Sequence, residues 1–81
     1  DELMAVTKYW FEQYGAVPAV MTHDVLELDL PAPVPQERAM EVAQEQYAFC
    51  PDVVDQGGED ATVGALADTL RQSYKWYFWW D

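Results

Sequence analysis

Apolar residues recur along this chain with two periods, and the switches between them mark its elements. Leu3, Val6, Trp10 and Tyr14 fall at helical spacing and predict a helix over Glu2–Tyr14, which Gly15 ends by taking a left-handed conformation. Val17–Met21 reads as a short strand, placed at a sheet edge or strand start because Pro18 has no N–H to donate. After a Thr22-His23-Asp24 turn, residues 25–30 alternate, with Leu26, Leu28 and Leu30 on one face and Val25, Glu27 and Asp29 on the other. Pro31, Pro33 and Pro35 force an extended linker, and Pro35 suits the first turn of a second helix, Gln36–Phe49. Its buried stripe is expected at Ala39, Val42, Ala43, Gln46, Tyr47 and Cys50, and Pro51 stops the helix at Cys50. Residues 51–60 read as a loop from the Gly57-Gly58 pair and the surrounding acids. Asp60 or Thr62 caps a third helix bearing Val63, Leu66, Ala67 and Leu70 at i, i+3, i+4 and i+7.

The last seven residues hold five of the twelve aromatic side chains, and the rest of the chain is expected to pack against them. A ring buries about 150–250 Å². At about 25 cal/mol per Å² each is worth several kcal/mol as an upper bound, against a total stability of about 4–12 kcal/mol for a domain of this length. As a strand, this segment sends Trp76, Phe78 and Trp80 to one face and Tyr77 and Trp79 to the other. The periodicity leaves open which set is core. The element order is helix, strand, strand, helix, helix, strand, an α+β domain with a small, mainly antiparallel sheet of about three strands and about three helices on one side. Strand order does not follow from the pattern.

Composition narrows the picture. Eighty-one residues make one domain with one core, and because the chain starts with Asp it is expected to be the C-terminal domain of something longer. Fifteen acids against Lys8, Arg38, Arg71 and Lys75 give a net charge of −11. Such a chain lacks the clustered cations that nucleic acid requires. It also lacks a signal peptide pattern and any apolar run near the roughly 18 residues of a membrane span. Cys50 is the only cysteine, which excludes an internal disulfide or a C-x-x-C pair and favours a reducing, cytoplasmic setting.

Two blocks are distinctive: Glu45-Gln46-Tyr47-Ala48-Phe49-Cys50-Pro51-Asp52-Val53-Val54-Asp55-Gln56-Gly57, followed by Leu66-Ala67 and Leu70, and the ending Trp76-Tyr77-Phe78-Trp79-Trp80-Asp81. From about Tyr9 to its end the chain resembles the bacterial domain-of-unknown-function family 4253. The resemblance implies a bacterial domain and no assigned chemistry.

The candidate chemistry is thin. His23, Asp24, Glu27 and Asp29 comprise a hard-metal donor set without a closed spacing motif, and strand patterning alone accounts for two of them. Cys50 with His23 and an acid has the members of a thiolate nucleophile site. Against it, Cys50 ends a buried stripe at a helix C-terminus, where the dipole raises a thiol pKa. Asp52, Asp55, Glu59 and Asp60 flank the glycine pair but lack the spacing of a calcium loop. No catalytic residue, metal or cofactor is assigned.

What patterning does not absorb is the aromatic surplus. In a sheet with helices on one side, one set of terminal rings lies on the face that carries Glu27 and Asp29, unless helix one or a further N-terminal region covers it. Large rings rimmed by acids suit an interface. The expectation is a non-enzymatic, acidic interaction module, of inhibitor or immunity type, with Tyr77, Trp79, Glu27 and Asp29 as its surface. Its partner would be a basic protein or the remainder of its parent chain, with self-association left open. The alternative is a small metal- or cysteine-dependent hydrolase using His23, nearby carboxylates and Cys50.

Overall fold

The computed structural model of the chain describes residues 2–55 and 61–80. Helix α1 (Glu2–Tyr14) ends at Gly15, whose φ of +74° is the left-handed value the sequence called for, and Gly15 N–H bonds Phe11 O at 2.9 Å. The reversal delivers the chain into β1 (Val17–Met21), which pairs antiparallel with β2 (Val25–Asp29). Thr22 closes the connection, accepting from the Asp24 and Val25 amides through its hydroxyl. The ladder slips between Pro18 and Val20, leaving Ala19 as a bulge.

The proline linker leads to α2 (Gln36–Phe49), then α3 (Asp52–Asp55), α4 (Val63–Leu70) and β3 (Lys75–Trp79). β3 pairs antiparallel with β2, so the sheet runs β1-β2-β3 and the segment bearing Pro18 is an edge. Thr62 caps α4, its hydroxyl accepting from the Ala65 amide at 3.0 Å.

Two details depart from the sequence reading. The expected loop over 51–60 begins as a helical turn: Pro51 carbonyl accepts from the Val54 and Asp55 amides, and Val54 turns inward. Pro51 stops α2 yet starts α3, because its fixed φ suits a first turn as well as it breaks a preceding one. The Gly57-Gly58 pair, Glu59 and Asp60 lie outside the described residues. Tyr47, expected in the α2 stripe, is 37% exposed, and its hydroxyl donates to Asp55 at 3.2 Å. The buried arc leans instead toward Phe49, because Trp10, Phe78 and Trp80 supply edge-on ring partners there, each with a centroid 5.3 Å from that of Phe49.

The core lies between the sheet and the helices. Leu26, Leu28, Trp76 and Phe78 line the inner sheet face, met by Trp10 of α1, Ala39, Val42 and Ala43 of α2, and Ala67 and Leu70 of α4. Glu45 ties α1 to α2, accepting from Tyr9 hydroxyl at 2.8 Å and from Trp10 Nε1 at 3.1 Å. Of the two alternating sets in the last strand, Trp76 and Phe78 are therefore core and Trp80 is half-buried beside them.

Candidate interaction surface

Register fixes what shares the outer face of the sheet. Glu27 stands opposite Tyr77, Asp29 opposite Lys75 and Val25 opposite Trp79, while Val17 and Val20 of β1 continue the row beside Asp29 and Glu27. Tyr77 is 49% exposed and Val17 and Val20 are exposed, whereas Trp79 is half-buried. The Tyr77 and Trp79 rings stack with centroids 5.6 Å apart and an interplanar angle of 27°. Two residues apart on a pleated strand, they lie on the same side and lean together. The four residues expected at the surface, Tyr77, Trp79, Glu27 and Asp29, thus occupy one face.

The sequence reading missed Lys75 in this group. Its Nζ lies 3.2 Å from Asp29 and 3.5 Å from Glu27. The Asp29 carboxylate is the main reason that the ammonium pKa is raised, with Glu27 adding. Lys75 has the same parity as Tyr77 and Trp79, so alternation alone would have placed it on their face. Its reach to two carboxylates needed the register.

The hydrolase residues are not brought together. His23 sits in the β1–β2 turn with its side chain 94% exposed, 3.9 Å from Asp24. Cys50 is fully buried and its Sγ donates to Trp79 carbonyl at 3.2 Å. Glu27 and Asp29 are engaged by Lys75 on the outer face. Among the described residues, no group of three or more His, Cys, Asp or Glu is placed to hold a metal ion. Asp52 and Asp55 lie on α3, with Asp55 taken by Tyr47.

An open cleft of about 310 Å³ contains His23, Met21, Phe49 and Trp80, and it is mainly apolar. A second, of about 180 Å³, runs between β3 and the helices, lined by Gln46, Val53, Leu66 and Thr69 together with Trp76, Tyr77 and Trp79. Among the described residues, Gln46 Nε2 and Trp76 Nε1 are buried and find no acceptor. Among the described residues no helix is long and apolar enough to cross a membrane.

The fold defines a small α+β domain, a three-stranded antiparallel sheet carrying its helical layer on the face opposite the stacked Tyr77 and Trp79. The chain belongs to the family described as Domain of unknown function (DUF4253), whose model matches residues 1–81. Searches of the curated proteins and of the solved structures each return no match.

Proposed function

We propose that this domain is a non-enzymatic interaction module whose outer sheet face binds a basic protein, in the manner of an inhibitor or immunity-type protein. The observation that carries the reading is the stacked Tyr77–Trp79 pair beside Glu27 and Asp29, with Tyr77 half exposed. A tyrosine of this exposure leaves apolar ring area in water, and desolvated aromatic anchors are what give complexes their residence time. The net charge of −11 supplies the complementary term. It steers a cationic partner and acts mainly on the encounter rate. Lys75 tempers the local field by pairing with both carboxylates, so this reading assigns the rings to holding and the wider acidic surface to steering. Its setting is the cytoplasm of a bacterium, which the single free thiol at Cys50 suits.

The test is capture from a bacterial lysate at about 0.05 M salt with three baits, the natural chain, Tyr77→Ala and Trp79→Ala, followed by kinetics on the retained protein. The expected partner carries a basic surface and is lost or weakened with either variant. Raising salt to about 0.5 M, where the Debye length is about 4 Å, slows association far more than it speeds dissociation. Retention that ignores both ring removals, or no retention at low salt, overturns the reading.

A further inference from the structure

The two edges of the sheet are not equivalent. Trp80 N–H bonds Asp24 carbonyl and Leu30 N–H bonds Tyr74 carbonyl, each across a directly opposed pair. In an antiparallel ladder hydrogen-bonded and non-bonded pairs alternate, so the even-numbered residues of β3 bond β2, while Lys75, Tyr77 and Trp79 turn their N–H and C=O groups to the free edge. Ser73 hydroxyl takes up both groups of Lys75, and Cys50 Sγ takes the Trp79 carbonyl. Tyr77 N–H, Tyr77 C=O and Trp79 N–H remain, and among the described residues nothing bonds them.

On the opposite edge, Val17 and Val20 stand against Asp29 and Glu27, which the same alternation aims at β1. Pro18 and Ala19 therefore lie on the outer side of β1. The first has no N–H and the second is a bulge, two devices that prevent strand addition. Among the described residues, the outward backbone groups of β3 are taken up only at its ends.

Beside the open stretch runs the cleft of about 180 Å³. It is lined by Trp76 from the inner face of β3 and by Tyr77 and Trp79 from the outer face, so it lies along the strand's edge rather than over either face. Its helical wall is Val53, Leu66 and Thr69. Gln46 and Trp76, which with Tyr14 carry the three buried side-chain groups unmatched among the described residues, also line it.

We propose that β3 accepts an extended, lysine- or arginine-bearing segment of the partner as a fourth strand, paired to Tyr77 and Trp79 through the backbone. This rests on the reading of the outer face given above and specifies how the partner engages. Side chains of an added strand alternate. One set enters the cleft, where a threonine or serine hydroxyl meets the amide and indole donors. The other lies over the Tyr77 and Trp79 rings, where a cation gains the ring faces while the wider acidic surface steers it in. A second copy of this chain is the competing occupant of an open edge, and a net charge of −11 on each copy opposes it.

The probe is a blocked hexapeptide of alternating lysine and threonine, compared at about 0.05 M salt with the same peptide N-methylated at every amide. The unmethylated peptide is expected to bind and to slow hydrogen exchange at the Tyr77 and Trp79 amides, while N-methylation weakens binding about tenfold or more. Tyr77→Pro removes the outward N–H without touching the bonds to β2, and Tyr77→Ala removes the ring but keeps that N–H; the proline variant is expected to bind more weakly than the alanine variant. Equal binding of the two peptides overturns strand addition and leaves the surface reading standing. No binding of the unmethylated peptide also ends the strand proposal, and capture with the ring variants then decides the surface reading by itself. Protection of both amides that grows with protein concentration, without peptide, overturns the proposal in favour of a second copy.

Discussion

Trp10 of α1 lies flat on Phe78 of β3, ring centroids 5.4 Å apart and planes within 12°. The stack joins the first helix to the last strand, and Trp76 and Phe49 close on Trp10 edge-on at 5.3 Å. Offset stacking and edge-on contacts both suit the ring quadrupole, so the cluster adds geometry to area burial.

Phe78→Ala and Trp10→Ala are each expected to cost about 3–5 kcal/mol, since both rings are at most 1% exposed. The double variant should lose less than the sum of the two, by about 0.5–1.5 kcal/mol, because the stack is counted in both single losses. Urea denaturation of the four proteins measures this. An unchanged midpoint in Phe78→Ala would contradict the assignment of Trp76 and Phe78 to the core.

Alkaline pH should destabilise the domain. The hydrogen bond to Glu45 is the chief cause of the raised Tyr9 pKa, with burial and the same carboxylate's charge adding, and Asp29 raises that of Lys75. A folded pKa above the unfolded value means that the native state holds its proton longer. The contribution is therefore complete below the ordinary values of 10.0 and 10.5 and is lost as pH rises through the folded ones. Thermal midpoints followed from pH 8 to 11, at about half-unit steps, should fall above about pH 10. Tyr9→Phe should shrink that fall.

Cys50 should behave as packing. Its thiol is fully buried and donates to the Trp79 carbonyl, so labelling by a thiol reagent should be slow in the native protein and fast in denaturant. Fast native labelling with a midpoint below about pH 7.5 would instead indicate an activated thiolate.

Gly15→Ala should destabilise by about 1–2 kcal/mol from the left-handed backbone alone. A Cβ there would also meet Pro31 Cγ at 3.1 Å, adding to the loss. Equilibrium unfolding measures it; an unchanged stability would mean that the turn re-forms with another geometry.

Periods and breakers made most of the elements legible. Glycine and proline act on their own backbone, so Gly15, Pro18 and Pro51 announce their effects without reference to distant residues. Cys50 was readable as buried for the same local reason, as the last position of a helical stripe. Tyr47 was misplaced because a stripe's edge is set by what packs against it, and Phe49 won that position through rings contributed by α1 and β3.

By itself, the sequence determined that the last strand divides its rings into Trp76, Phe78 and Trp80 against Tyr77 and Trp79, because side-chain alternation is a property of one strand. Only the tertiary structure decided which set is core, that Lys75 reaches Glu27 and Asp29 beside the other, and that, among the described residues, β1 is blunted along its outer side while Tyr77 in β3 keeps unbonded outward backbone groups. Those outcomes depend on strand order, register and the side on which Trp10 docks, and each is fixed by contacts between segments far apart in the chain that no local period encodes.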